Sequence, residues 1–436
     1  MAQESSSRDE GGFIRRAGSR LLQRLFNVSI ACIPIQLFGC VCQHSCAVEH
    51  WQPQYPLSMA NNVKPRLSIG EKLKLIGVSL FVAPCMLAIV GAQVLLFAIR
   101  NNLNIRLYLL SAGVRVIFST FTAREIQTLL PSTEDVYRAW IQRKARLARD
   151  PALKERLQCD IQPLSDGNSS ILWVGNRHKA RKVVLYLHGG GYVMPSQAGH
   201  FECVWNTFVL SGLESDTEVA VAFLQYSLAP ASKVPVQLRQ AASALSEVLK
   251  AGFSAKDIVI GGDSAGGNLT MQTLKHLVEP HPEACHIALD EPLSAAVLVS
   301  PWLSTEYSSS SCLEYDSSDM LSRAVMRSLT AYASGYEEQN NSDETNSWAK
   351  PLECRGAWIG KLNSAVRKIH MTVGGREILA DQATSMAKAI EAMKTDVQVT
   401  LESDPNAAHD FIVAEGILEQ IGEATIRMKQ WFKGLL

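Results

Sequence analysis

The hydrophobic pattern of the chain changes rhythm along its length. Leu75 to Ile99 is apolar on every face and carries no charge, with Gln93 its most polar side chain. Residues 101–158 return to helical spacing. Ile105, Tyr108, Leu109 and Ala112 fall on one stripe, and Val136, Trp140 and Ile141 form a later one. From about residue 170, short apolar runs alternate with amphipathic stretches. Strands are expected at Ile171–Val174, Val183–Leu187, Val219–Leu224, Ile258–Ile260, Ala295–Val299, Ile369–Val373 and Val397–Leu401. Helices are expected between them at Val236–Ala251, Asn268–Leu277, Ala380–Met393 and Gly416–Lys433. This alternation predicts an α/β fold with a mostly parallel, doubly wound sheet. One insertion breaks it. Ser304 to Val366 is polar, Ser-rich and acidic, and separates two strands by more than a usual connection. It reads as a helical cap segment around Met320–Gly335 with flexible ends.

The expected organisation is a disordered N-terminus over 1–20, a membrane-associated region over 21–100, a helical cap or linker over 101–158, and an α/β catalytic domain over 159–436 with its cap insertion around 304–366. About 25 apolar residues of helix span ~37 Å, more than the ~30 Å hydrocarbon core. Lys72 and Lys74 flank one end of the 75–99 stretch and Arg100 the other. Pro84 is expected to kink it, which a membrane helix tolerates. Leu25 to Cys42 is a weaker apolar stretch, interrupted by Asn27, Pro34 and Gln36. A single span is the favoured reading, in the endoplasmic reticulum membrane. Arg15, Arg16, Arg20 and Arg24 favour an inside N-terminus. With one span the catalytic domain would be lumenal, and with two it would be cytosolic. Asn168-Ser169-Ser170 and Asn340-Asn341-Ser342 have the form of glycosylation sites.

The chain has 436 residues, formal net charge zero and no basic stripe, which argues against a nucleic-acid partner. Its ten cysteines have no framework spacing. Cys40, Cys42 and Cys46 crowd His44, but C-x-C-x₃-C matches no usual zinc pattern. There is no H-E-x-x-H and no P-loop, so neither metal nor other cofactor is expected.

Two glycine-rich motifs carry the chemistry. Gly262-Asp263-Ser264-Ala265-Gly266 follows an apolar strand and has the G-x-S-x-G form, a sharp strand-to-helix turn that presents a serine hydroxyl. His188-Gly189-Gly190-Gly191 follows another strand, and its backbone N–H groups can point at an oxyanion. Such a serine needs a base and an orienting acid, in the chain order Ser, Asp/Glu, His. Of the histidines after Ser264, His276 is expected on the surface of the helix behind the nucleophile. His281 and His286 bracket a loop too early in the chain, and His370 reads as a satisfied core histidine. His409 follows the last strand, in the loop the base requires. Glu377, just past the strand Ile369–Val373, is preferred as the acid over Asp381, which lies one turn into the next helix. The expected oxyanion donors are the backbone N–H groups of Gly190, Gly191 and Ala265. His188 precedes the nucleophile and is expected to hold the Gly loop.

These residues resemble the hormone-sensitive-lipase-type esterases of the α/β-hydrolase superfamily. The resemblance spans roughly 170–430 and rests on the two motifs with Tyr226-Ser227-Leu228-Ala229-Pro230, Ser300-Pro301-Trp302 and His409-Asp410-Phe411. It implies an α/β-hydrolase fold with a helical cap, and it also places the oxyanion hole at Gly190, Gly191 and Ala265. The chain departs from the family pattern at Glu377, where Asp is usual, and at Ala231, where Glu usually follows the Pro. An anchor ahead of this domain is similar to membrane-bound steryl acetyl hydrolases and arylacetamide-deacetylase-like enzymes. That implies a small lipophilic ester as substrate: a short acyl group on a lipophilic alcohol, such as a sterol or natural product. The alternatives are an acyltransferase or tailoring enzyme of a fungal-type pathway using the same triad, and a non-catalytic ligand-binding protein on this fold.

Overall fold

The computed structural model describes residues 64–334, 348–354 and 356–436. The expectations for 1–20, Leu25–Cys42, the Cys40–Cys46 cluster and the Asn340 sequon lie outside the described residues. Apart from Leu129–Pro131, the described residues fall in one compact unit, Ser58–Thr128 with Ser132–Leu436.

Helix α1 (Ile69–Arg100) comes first and is followed by α2 (Ile105–Thr120). A capping box at Ser68 and Glu71 starts α1. Within it the ladder widens into a π turn at Val78–Val82, where the Ala83 N–H reaches back to the Val78 carbonyl. This sits one residue before Pro84, whose ring removes a ladder donor. Val90, Val94 and Ala98 of α1 pack on Tyr108, Ala112 and Val116 of α2. The remainder of α1 is open, with Leu80, Phe81, Leu87, Ile89 and Leu96 all exposed. Both ends of α1 are tied to the body. Arg124 pairs with Glu71 at 2.8 Å, and Arg376 donates to the Asn101 side chain at 3.3 Å.

After α3 (Thr133–Leu147) the sheet begins, and its eight strands run in the order β1-β2-β4-β3-β5-β6-β7-β8. They are β1 (Asp160–Pro163), β2 (Ser170–Val174), β3 (Lys182–Leu187), β4 (Val219–Gln225), β5 (Ile258–Asp263), β6 (Ala295–Val299), β7 (Lys368–Gly374) and β8 (Gln398–Asp404). The first two ladders, β1 with β2 and β2 with β4, are antiparallel, and the remaining five are parallel. The helices between them are α4 (Ala198–Val204), α5 (Val236–Lys250), α6 (Ala265–Val278), α7 (Arg323–Ser334), α8 (Ala380–Ala392), α9 (Phe411–Ile417) and α10 (Glu423–Lys433).

Successive strand residues feed opposite cores, as the period of two requires. Val183, Leu185 and Leu187 of β3 join the core under α5, α6 and α8. Val184 and Tyr186 join the core under α3, α4, α9 and α10. Seven expected strands match in position. The eighth, β1, is short, half-polar and at the sheet edge, so it left no period-two signal. The helical run from Ala198 to Glu214 also escaped the pattern, because nearly all of it is buried and it shows no polar face. The single helix expected at Gly416–Lys433 is two helices, α9 and α10. The junction is Gly422, where a Cβ would lie 2.0 Å from the Glu415 carboxylate.

The position that fixes the sheet-to-helix geometry is Gly266. A Cβ there would stand 1.8 Å from the Leu187 carbonyl oxygen at the end of β3, a contact with rigid backbone on both sides. Gly266→Ala should therefore cost at least ~3 kcal/mol, at the upper end of overpacking. The thermal midpoint should fall by ~6 °C or more in a scan of purified protein. An unchanged midpoint would mean that α6 can slide away from β3.

Candidate active site

Ser264 closes β5 and opens α6 with φ 47° and ψ −113°, a left-handed backbone that a non-glycine residue adopts only under constraint. Three backbone bonds hold it there. Its N–H donates to the Val299 carbonyl at 2.8 Å, and its carbonyl accepts from Asn268 at 3.0 Å and from Trp302 at 3.1 Å. The Asn268 bond is the first of the helical ladder, which leaves the N–H of Ala265 outside it and free of any intrahelical acceptor.

The glycine loop after β3 is fastened to the same turn through Asp263. Its carboxylate accepts from the Gly189 N–H at 2.9 Å and the Tyr186 hydroxyl at 2.8 Å, and it pairs with His200 at 3.2 Å. Burial alone would raise the Asp263 pKa, but His200 and the Tyr186 hydrogen bond outweigh it and hold the group below its usual range. His188 is fully buried, stacked on Tyr226 at 4.3 Å, and its Nδ1 contacts the Gly189 carbonyl at 2.8 Å. Burial drives its pKa down to about 3, so it stays neutral and serves as loop scaffold. Gly190 and Gly191 have φ of 98° and 60° and border the pocket in front of Ser264.

His409 lies in the loop between β8 and α9, with Nε2 2.9 Å from Ser264 Oγ. Glu377 follows β7 and is fully buried. Its Oε2 accepts from Ser300 Oγ at 2.6 Å and from the Gly374 N–H at 2.9 Å, which aims Oε1 at His409 Nδ1, 3.7 Å away. That separation is an ion-pair distance, longer than a hydrogen bond. Asp381 is elsewhere, accepting the Ser311 N–H at 2.9 Å. The structure thus gathers Ser264, His409 and Glu377, and separates Asp381 from them.

Two expectations about other histidines need correction. His276 is buried, not on the surface; it sits between the Cys285 carbonyl and the His281 N–H, each at 2.9 Å. His370 is a core residue but has no hydrogen bond to either ring nitrogen. It stacks on Trp431 at 4.6 Å, and burial lowers its pKa to about 4.

Three residues important to the geometry were not singled out from sequence. Asp319, from the insertion, accepts the backbone N–H of both Ile378 and His409 at 2.9 Å, pinning the acid loop to the base loop. Burial raises its pKa to about 6. Ser300, with φ 44°, donates to Glu377 and accepts from the Asp410 N–H at 3.2 Å. Asp410 places Oδ2 3.3 Å from His409 Nε2, the same nitrogen that faces Ser264. Asp319 was hidden in a stretch that reads as solvated polar loop. Ser300 and Asp410 each stand in a motif that carries the family resemblance, but their spacing assigns them no role.

The pocket over Ser264 is walled by Phe118, Trp302, Met320, Leu321, Met326 and Leu329. Phe118 comes from α2, and Met326 and Leu329 from α7. A serine at a strand-to-helix elbow, a histidine 2.9 Å from its hydroxyl and a glycine loop together have the form of a serine hydrolase site on an α/β sheet. Residues 184–413, more than half of the chain, match the α/β hydrolase fold family, and the chain belongs to it.

An acetyl-hydrolase of Streptomyces hygroscopicus is 26% identical over 272 residues, covering 61% of this chain and 80% of that protein. An ethyl acetate hydrolase of Pseudomonas putida is 28% identical over 253 residues, covering 57% and 71%. In fold, the chain is similar to an esterase from the bacterial hormone-sensitive lipase family, with TM-score 0.53, 21% identity, and coverage of 76% of this chain and 98% of that one.

The separation of the two acids makes a direct test. Glu377→Ala should lower kcat by about 10²–10⁴-fold, as loss of the orienting acid does. Asp381→Ala should stay within about threefold of wild type. Equal losses in steady-state assays would reverse the assignment.

The charges around His409 set its pH dependence. Burial by itself would lower the imidazole pKa, but the carboxylates of Asp410 and Glu377 overcome it and hold the group well above its usual 6.5. The base must be neutral to take the serine proton. Activity is therefore lost as pH falls through that raised value, and kcat/KM should have its acid limb above pH 6.5. Asp410→Asn removes one anion and should move the limb to lower pH. A limb that stays in place would show that Asp410 carries no charge beside His409.

Proposed function

We propose that this carboxylic ester hydrolase cleaves short acyl esters of lipophilic alcohols through an acyl-enzyme on Ser264. The observation that carries the reading is the 2.9 Å contact between Ser264 Oγ and His409 Nε2 at a strained elbow, opening on a small apolar pocket. Oγ attacks the ester carbonyl while Nε2 takes its proton, and Glu377 steadies the imidazolium. The backbone N–H groups of Gly190, Gly191 and Ala265 receive the oxyanion. The imidazolium then protonates the leaving alcohol, and water releases the acid.

The pocket supports a small acyl group. The space it leaves in front of Ser264 is small, and its walls offer aromatic and aliphatic surface. The names of the acetyl and ethyl acetate hydrolases point the same way. A sterol or a natural product is the class of alcohol proposed.

Membrane association is assigned to α1. Its most apolar 18-residue window has mean hydropathy 2.4 with only 11% buried, and its 32 residues reach about 48 Å. A single span over 75–99 is the reading its length supports. The ties of Glu71 to Arg124 and of Asn101 to Arg376 support a second reading, in which α1 lies along the catalytic body and enters the lipid interface sideways.

One experiment tests the catalytic and membrane parts together: labelling of a membrane fraction with a fluorophosphonate probe, before and after an alkaline carbonate wash. Wild type should label and Ser264→Ala should not. Label retained in the washed pellet fits a span, and label released fits an interfacial helix. A well-folded wild type that fails to label would remove the acyl-enzyme reading, and label in unpelleted protein would remove the membrane one.

A further inference from the structure

We infer that Asp410 is a catalytic residue of the second half-reaction, holding the hydrolytic water so that the acyl-enzyme is passed to water in preference to an alcohol. The inference rests on the acyl-enzyme reading above. Three observations support it. Asp410 borders the same pocket as Ser264, Gly190 and Gly191. Its Oδ2 lies 3.3 Å from His409 Nε2, on the nitrogen that must take the proton of the attacking nucleophile. Its Oδ1 is buried and has no hydrogen-bond partner, although a buried carboxylate oxygen ordinarily has one.

The placement is costly unless it is used. A buried carboxylate beside an oxyanion site opposes the negative charge that develops there. Burial accordingly raises the Asp410 pKa to about 6 even though His409 pulls the other way. The backbone is also built for this one side chain. Asp410 has φ 51°, where glycine is the unstrained choice, and its N–H is held by Ser300 Oγ, the hydroxyl that also binds Glu377. Ser300 thus fixes both carboxylates relative to the two nitrogens of His409.

The chemistry of deacylation supplies the use. A water attacking the acyl carbon has two hydrogens. Nε2 takes one as the new C–O bond forms. The second must find an acceptor, and Asp410 offers one beside Nε2. The tetrahedral intermediate then collapses: the bond from carbon to Ser264 Oγ breaks, Nε2 returns its proton to Oγ, and the carboxylic acid leaves. Asp410 gives and takes no net proton. An alcohol in the same position has a single hydroxyl hydrogen, which goes to Nε2, and leaves Asp410 facing a carbon. The carboxylate therefore favours water over an alcohol acceptor by one charge-assisted hydrogen bond.

The test is a partition measurement on purified full-length protein in detergent, with p-nitrophenyl acetate as donor and methanol as competing acceptor. Three enzymes are compared: wild type, the isosteric Asp410→Asn, and Asp410→Gly, which suits the left-handed backbone and covers a failure of the first variant to fold. The expected result is a burst of nitrophenol with acetylated Ser264 visible by mass in both variants. Deacylation by water should slow about 10- to 100-fold. The ratio of methyl acetate to acetic acid should rise by a similar factor. A purely structural role would lower the acylation and deacylation rates together and leave the ratio unchanged, and that result overturns the inference. Ser264 that is acetylated in neither wild type nor either folded variant overturns the acyl-enzyme reading and the inference with it, whereas acetylated variants with an unchanged ratio overturn the inference alone.

Discussion

The structure depends on one close approach: the end of β3 against the start of α6. At Gly262 and Gly266 an added Cβ would lie about 2 Å from the Leu187 carbonyl, at 2.1 Å and 1.8 Å. No side chain fits, so helix and strand meet backbone to backbone. That proximity compresses the β5–α6 turn until Ser264 takes a left-handed conformation and its hydroxyl stands clear of the sheet. It also brings the glycine loop, which continues from Leu187, alongside the N-terminus of α6. The positions of the proposed nucleophile and oxyanion donors therefore follow from one packing constraint. Asp263 then locks the arrangement by reaching from the elbow to the Gly189 N–H.

The second organising feature is how few cations serve the buried acids. Asp263, Asp319, Glu377 and Asp410 are all buried near the elbow. Asp263 has His200, and Glu377 and Asp410 face the two ring nitrogens of His409. Asp319 accepts backbone N–H groups and feels the more distant fields of His409 and Arg115. The excess of negative charge favours the imidazolium, which helps the proton-transfer steps and costs activity in acid. His188 is spared protonation because its burial, helped by the neighbouring His200, outweighs the pull of the Gly189 carbonyl and of Asp263.

Much of this was legible in the sequence, for physical reasons that differ by element. The six interior strands announced themselves because burial on both faces demands unbroken apolar runs, and the edge strand β8 through the alternation of its half-buried positions. Ser264 and the glycine loop were legible because their backbone geometry tolerates few residues. His409 and Glu377 could be placed by order and loop position alone. β1 and the Ala198–Glu214 helices were not legible, the first too short and polar, the second buried on every side. Asp319 was invisible for another reason. A carboxylate that receives backbone N–H groups from 59 and 90 residues away has no local signature. The surface placement of His276 failed similarly, since its partners come from the Cys285 loop and not from its own helix.

What individualises the chain lies largely outside the segment matched to its family. The match begins at residue 184, yet α2 precedes it and contributes Phe118 to the pocket wall. From the same helix, Arg115 donates to the carbonyls of Asp316, Asp319 and Leu321 at 2.7 to 3.0 Å. The loop it secures carries the Asp319 carboxylate onto the His409 and Ile378 amides. Tyr108, one face of α2 away, donates to the Asn406 carbonyl in the base loop itself. Tyr108 also packs, with Ala112 and Val116, against the apolar α1. A single helix thus stands between the exposed apolar surface of α1 and the loop that carries His409. The face of α2 that meets α1 includes Tyr108, which also holds the base loop. The proposed triad is carried by the sheet, but the loop of its histidine is also held by elements that the sheet does not contain.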